Sequence, residues 1–173
     1  MISYNVEMLG LEEQLSKFAK YPQITDARLK AAMTKSVIAV ESAIVPNVPV
    51  GVSSRLRNSI ASEVVHEGPL SIIGKVGSTL KGEEYPMVME FGRRPGATMP
   101  PPQALERWVH LQLGVSVEEA PRVAFLVARA IGRRGIKGRE FMKKGWKKSQ
   151  GAITGYFNEA LNLIAIDLEN GRK

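Results

Sequence analysis

From Asp26 to Pro46 the chain carries Leu29, Met33, Val37, Val40 and Ile44 at spacings of three and four, with Arg28, Lys30, Lys35 and Glu41 between them. At 3.6 residues per turn the five apolar side chains share one stripe, so the segment predicts a long amphipathic helix forming one wall of a core. Asp26 can cap its start and Pro46 closes its end. A helix with one greasy face has to be covered, and that requirement organises the reading of the remaining chain.

Ile2 to Leu9 alternates as an edge strand would, Gly10 ends it, and Leu11 to Lys20 predicts a short amphipathic helix stopped at Tyr21-Pro22. After the long helix, Pro46 to Ser54 reads as a loop. Ile60, Ser62, Val64 and Val65 then predict a strand, Gly68-Pro69 a turn, and Leu70 to Gly77 a second strand through Ile72, Ile73 and Val76. So short a connection makes the two strands antiparallel. A sheet of two or three strands under the long helix is the economical arrangement.

Tyr85 to Gly96 places one carboxylate, Glu90, among apolar residues and then breaks into glycine, arginine and proline. Pro86 suits the first turn of a short helix and Gly92 suits its end. The alternation of Met87, Met89 and Phe91 with Val88 and Glu90 equally fits a strand. In either case Glu90 needs a positive partner or hydrogen-bond donors, for which Arg55, Arg57, Arg93 and Arg94 are the candidates. No second acid, histidine or nucleophile stands nearby, which favours a structural ion pair over a catalytic acid.

Arg93 to Pro102 is a proline-rich loop. Leu105, Trp108, Val109 and Leu111 to Leu113 predict a helix ended by Gly114. Ser116 and Glu119 then form a capping box for another helix, which runs through Val123, Leu126, Val127, Ala130 and Ile131 and stops at Gly132 to Gly135. Residues 103–134 thus read as a helical hairpin inserted into a single domain, 1–173. From Ser149 a C-terminal helix carries Ile153, Phe157, Ala160, Leu161, Ile164 and Leu168 on one face. Gly151 and Gly155 would permit close helix contact, and Asp167 and Glu169 read as solvated acids. The fold class expected is α+β: a small antiparallel β-sheet packed against a long helix, with the inserted hairpin and a C-terminal helix.

The formal charge is +7, but Arg129 to Lys148 holds nine Lys or Arg against one acid, Glu140, a surplus of eight that leaves the rest at −1. The excess is therefore a patch, made by Arg133, Arg134, Lys137, Arg139, Lys143, Lys144, Lys147 and Lys148 with Arg129. It could face DNA, an acidic protein surface or water. Phe141, Met142 and Trp146 interleave with it; they could stack on bases, but anchoring the segment to a core while lysines reach outward is favoured.

Chemistry is hard to find. The chain has no cysteine, which excludes disulfides and thiolate catalysis and fits assembly in a reducing cytoplasm. Gly77 and Gly82 have phosphate-loop spacing, yet Glu83 occupies the lysine position. His66 and His110 lack partners at metal spacing, and Gly51-Val52-Ser53 lacks the closing glycine of a nucleophile elbow. No apolar run is long enough to cross a bilayer and no export signal opens the chain, so a soluble, unexported protein without cofactor or catalytic group is expected.

The order of a long helix, a Pro-Val loop, Ser53-Ser54-Arg55-Leu56-Arg57-Asn58-Ser59-Ile60, Val76-Gly77-Ser78, Tyr85 and finally Glu90-Phe91-Gly92 resembles the tail-completion, or head–tail joining, family of tailed bacteriophages. In that pattern Leu56, Arg57, Ser59, Ile60, Val76, Gly77, Tyr85, Glu90, Phe91 and Gly92 match. Ser54 stands where glycine is usual, Pro86 replaces alanine and Arg93 replaces threonine, and a late segment survives only as Phe141-Met142-Lys143. The likeness spans roughly Asp26 to Gly92, with the C-terminal third following loosely. It implies a noncatalytic virion protein that forms a ring, commonly of six copies, in the neck of the particle. Its expected partners are its own copies, tail terminator or tail tube proteins on one side and head-completion or connector proteins on the other. DNA passing the channel would meet the basic patch, and no membrane is involved. The alternatives are a basic nucleic-acid-binding domain, or a tail terminator or other minor tail protein.

Overall fold

The computed structural model describes residues 3–6, 22–68, 71–82 and 84–170. The short helix expected over residues 11–20 lies outside them, as does Pro69 of the expected turn.

Helix α1, Pro22–Ile44, is the predicted amphipathic helix, and Leu29, Met33, Val37, Val40 and Ile44 are all buried. It begins a turn earlier than expected. Pro22 itself fits the first helical turn, where its missing N–H goes unneeded, so Asp26 lies inside the helix rather than at its cap. A 3-10 turn, Val45–Asn47, and a one-turn helix α2, Arg55–Asn58, lead to the sheet.

Strand β1, Ser3–Val6, pairs antiparallel with β3, Ser71–Ser78, which also pairs antiparallel with β2, Ile60–Gly68. The sheet order β1-β3-β2 places β3 in the middle, where Gly74, Val76 and Ser78 alternate inward at the two-residue period of a strand. Helix α1 lies across this face: a side chain on Gly74 would collide with Met33 and Val37.

The other cover is α6, Phe141–Glu169, packed along α1 and sharing its core through Phe141, Met142, Ile153, Phe157, Ala160 and Ile164. It starts eight residues before the expected Ser149, absorbing much of the basic window into one 29-residue helix. Gly145 makes this possible, because a Cβ there would lie 2.7 Å from the Ile44 Cα and 2.8 Å from its backbone nitrogen. Gly151 and Gly155, expected to allow close contact, are exposed with open space around them. Asp167, expected to be solvated, is buried and accepts hydrogen bonds from Arg28 Nη2 at 2.8 Å and Nε at 3.0 Å, linking the two long helices.

Between β3 and α6 run α3, Tyr85–Phe91, strand β4, Gly92–Arg93, α4, Gln103–Leu113, α5, Ala120–Arg134, and strand β5, Ile136–Lys137. The strands β4 and β5 pair antiparallel as a two-residue ribbon. The hairpin rises from this ribbon and has its own small core of Val109, Ala120 and Ala124, lined by Leu105, Val115, Val123 and Val127. Helix α5 turns its small residues inward, with Ala120, Ala124, Ala128 and Gly132 buried at intervals of four. Leu126 is 46% exposed, away from that inner face. No helix among the described residues is long and apolar enough to cross a membrane.

Candidate functional site

Tyr85–Phe91 is helical, so the strand alternative for this segment fails. Pro86 occupies the first turn and Gly92, at φ 82°, ends it. The left-handed backbone and the closeness of the Gly138 nitrogen, 2.6 Å from where a Cβ would stand, both require glycine at position 92.

Glu90 is 1% exposed, and its partner corrects the sequence expectation. Its Oε2 accepts from the backbone N–H of Met142 at 2.9 Å and its Oε1 from that of Lys143 at 3.1 Å. Those donors are among the first N–H groups of α6, which have no partner within their own helix and carry the positive end of its dipole. The Arg139 N–H donates to the Met89 carbonyl and the Glu140 N–H to the Glu90 carbonyl, so four hydrogen bonds clasp the end of α3 to the start of α6. No arginine pairs with Glu90 among the described residues. Arg57, the expected counter-ion, donates instead through Nε to the Val45 carbonyl at 3.3 Å. Arg93 Nη2 donates to the Thr98 carbonyl and Nη1 stands 3.9 Å from Glu84, while Arg94 is exposed. A helix N-terminus distant in sequence could not be found by searching for a cation.

The middle residue of the Glu-Phe-Gly segment behaves differently from its neighbours: Phe91 projects outward, 66% exposed. Further exposed apolar groups are concentrated on the hairpin, where Trp108, Leu111, Leu113, Val117, Phe125 and Leu126 all face outward. At the base of the hairpin lies an open cleft of about 860 Å³ between α3, α4 and the 51–56 and 99–101 segments. Its lining is mostly apolar, including Tyr85, Met99, Trp108 and Ile131, and it carries three guanidinium groups, Arg55, Arg93 and Arg107. Partial burial in this wall raises the pKa of the Tyr85 phenol above its ordinary value.

All eight cations expected to form the basic patch, Arg133, Arg134, Lys137, Arg139, Lys143, Lys144, Lys147 and Lys148, are exposed. The four lysines lie on α6 at offsets that put them on its outer face, opposite buried Phe141, Met142, Gly145 and Ser149. Anchoring thus describes Phe141 and Met142, which are fully buried and offer no face for a base to stack on; Trp146 is half-buried against the same core. Within the patch, the hydrogen bond and the charge of Lys143 hold the Glu140 carboxyl below the usual carboxylate range, with Lys144 and Lys137 adding to the effect. Lys143 Nζ lies 3.0 Å from Glu140 Oε1.

The histidines have structural surroundings. His66 Nε2 is 3.6 Å from Asp26 Oδ2, and His110 Nδ1 is 2.6 Å from the Val115 carbonyl in the hairpin turn. Among the described residues no group of three or more His, Cys, Asp or Glu could hold a metal ion.

No family model, curated protein or solved structure matches the chain.

Proposed function

We propose that the protein is a noncatalytic structural component of the neck of a tailed-phage particle, a ring of copies that completes the tail and joins it to the head. The observation that carries this reading is the apolar surface left open on the hairpin and on α3, with Trp108, Leu111, Phe125, Leu126 and Phe91 outward. Exposed large side chains in such concentration mark a protein-binding surface. The sheet supports the same reading, because among the described residues β1 and β2 are both edges in the order β1-β3-β2, and a closed assembly shields edges. Three positions of the resemblance to the tail-completion family support the reading. Glu90 and Gly92 form the joint between α3 and α6, and residue 54, usually glycine, has a left-handed backbone at φ 49°. Two of the ion pairs, Arg28 with Asp167 and His66 with Asp26, tie separate elements of the fold together, a use of charge that fits a scaffold.

The neighbours in this reading are tail terminator or tail tube proteins and head-completion or connector proteins. The outer lysine face of α6 favours a second role, contact with the phosphates of DNA in the channel, with no reading of bases. Electron microscopy and sedimentation of the purified protein test the main reading: a discrete ring is expected, and a strict monomer at high concentration that is missing from virions overturns it. Neutralising Arg133, Arg134, Lys143 and Lys147 tests the second role, which falls if assembly and DNA delivery are untouched. A free monomer that binds duplex DNA salt-dependently and forms no ring would make it a nucleic-acid-binding domain instead.

A further inference from the structure

We infer that the hairpin turn of one copy, Leu113 to Glu119, seats in the cleft at the hairpin base of the next copy. This rests on the ring reading above and names the contact that would build the ring. The cleft combines apolar walls with three cations, Arg55, Arg93 and Arg107, against one acid among the described lining residues, Glu84, which stands 3.9 Å from Arg93, so the described lining keeps a positive surplus. A fitting occupant is therefore a narrow, protruding segment with apolar side chains and carboxylates.

The hairpin turn has that composition. Leu113 is 51% and Val117 65% exposed, and the next two residues, Glu118 and Glu119, are exposed carboxylates without an ion pair among the described residues. A turn between two helices is convex, as an insert into a cleft has to be. Opposite charges on the two surfaces fix the orientation of docking and speed encounter.

The turn cannot fill the cleft of its own molecule. Met99 lies at the cleft, against Gly132 near the end of α5, while Val117 precedes the start of that 15-residue helix. At 1.5 Å per residue the two are roughly 20 Å apart. The contact is consequently between different patches on identical chains, the head-to-tail kind that closes into rings.

The absence of native cysteine allows a direct test. In the variant Met99→Cys with Val117→Cys, mild oxidation of assembled protein is expected to give a ladder of covalent oligomers ending at the ring size. A disulfide needs Cα atoms within about 7 Å, so no bond forms inside one chain. Glu118→Arg with Glu119→Arg is expected to raise the concentration needed for assembly at least about tenfold, and adding Arg107→Glu to recover part of that loss. Rings of normal size that give no ladder and ignore the charge reversals overturn the inference and leave the neck reading intact. A parent chain that forms no ring overturns both.

Discussion

Glu90 Oε2 lies 2.9 Å from the backbone nitrogen of Met142, 52 residues further along, so a side chain on one helix caps the start of another. Replacing the carboxylate leaves two N–H groups of α6 without their acceptor in a dry environment. Glu90→Ala is expected to lower unfolding free energy by about 3 kcal/mol in a denaturant titration. Glu90→Gln, which keeps one acceptor oxygen, should lose less, and Arg57→Gln should not reproduce the effect of either.

Two glycines of α6 should respond in opposite directions. Gly145→Ala pushes a methyl group into the backbone of Ile44 and is expected to cost about 2 kcal/mol. Gly151→Ala meets open space and removes a flexible residue from a helix interior, so a gain of roughly 0.5–1 kcal/mol is expected. Thermal melts of the two variants check both.

At Ser54 the backbone has φ 49° and ψ 16°. Glycine relieves the left-handed strain but also loosens the unfolded chain, so Ser54→Gly should change stability by less than about 1 kcal/mol. Ser54→Val, whose branched side chain tolerates that conformation poorly, should cost roughly 1–3 kcal/mol. Comparing their denaturant midpoints separates backbone strain from loss of the hydroxyl.

Because Lys143 holds the Glu140 carboxyl below the usual range, the pair contributes at neutral pH and is lost as pH falls through the lowered folded-state value. Carbon-detected NMR should show Glu140 titrating below an ordinary glutamate. Lys143→Ala, or high salt, should move it back up. A Glu140 titration unchanged by both would contradict the pairing.

The elements carrying large apolar side chains at a clean period were legible in the sequence. The stripe of α1, the paired strands, the hairpin and the inner face of α6 all follow from spacing. What spacing could not show is which small residues face inward. In α5 the buried positions are Ala120, Ala124, Ala128 and Gly132, while Phe125 and Leu126 face out, the reverse of an order ranked by hydrophobicity. Glu90 was recognisable as buried, but its acceptors' role toward Met142 and Lys143 depends on a tertiary meeting that leaves no local mark. Asp167 was misread for the same reason, its arginine lying 139 residues away. The cleft, too, assembles from segments scattered between residues 51 and 136.

Helix α1 finds its cover in α6, and both the Arg28 and the Glu90 contacts wait on residues made far later. During synthesis the sheet can cover one side of the α1 stripe, but the other side stays open until α6 has cleared the ribosome, and a product cut short before Phe141 leaves that side bare. Such a shortened product is expected to carry a bare apolar strip and to clump more readily than the full-length protein.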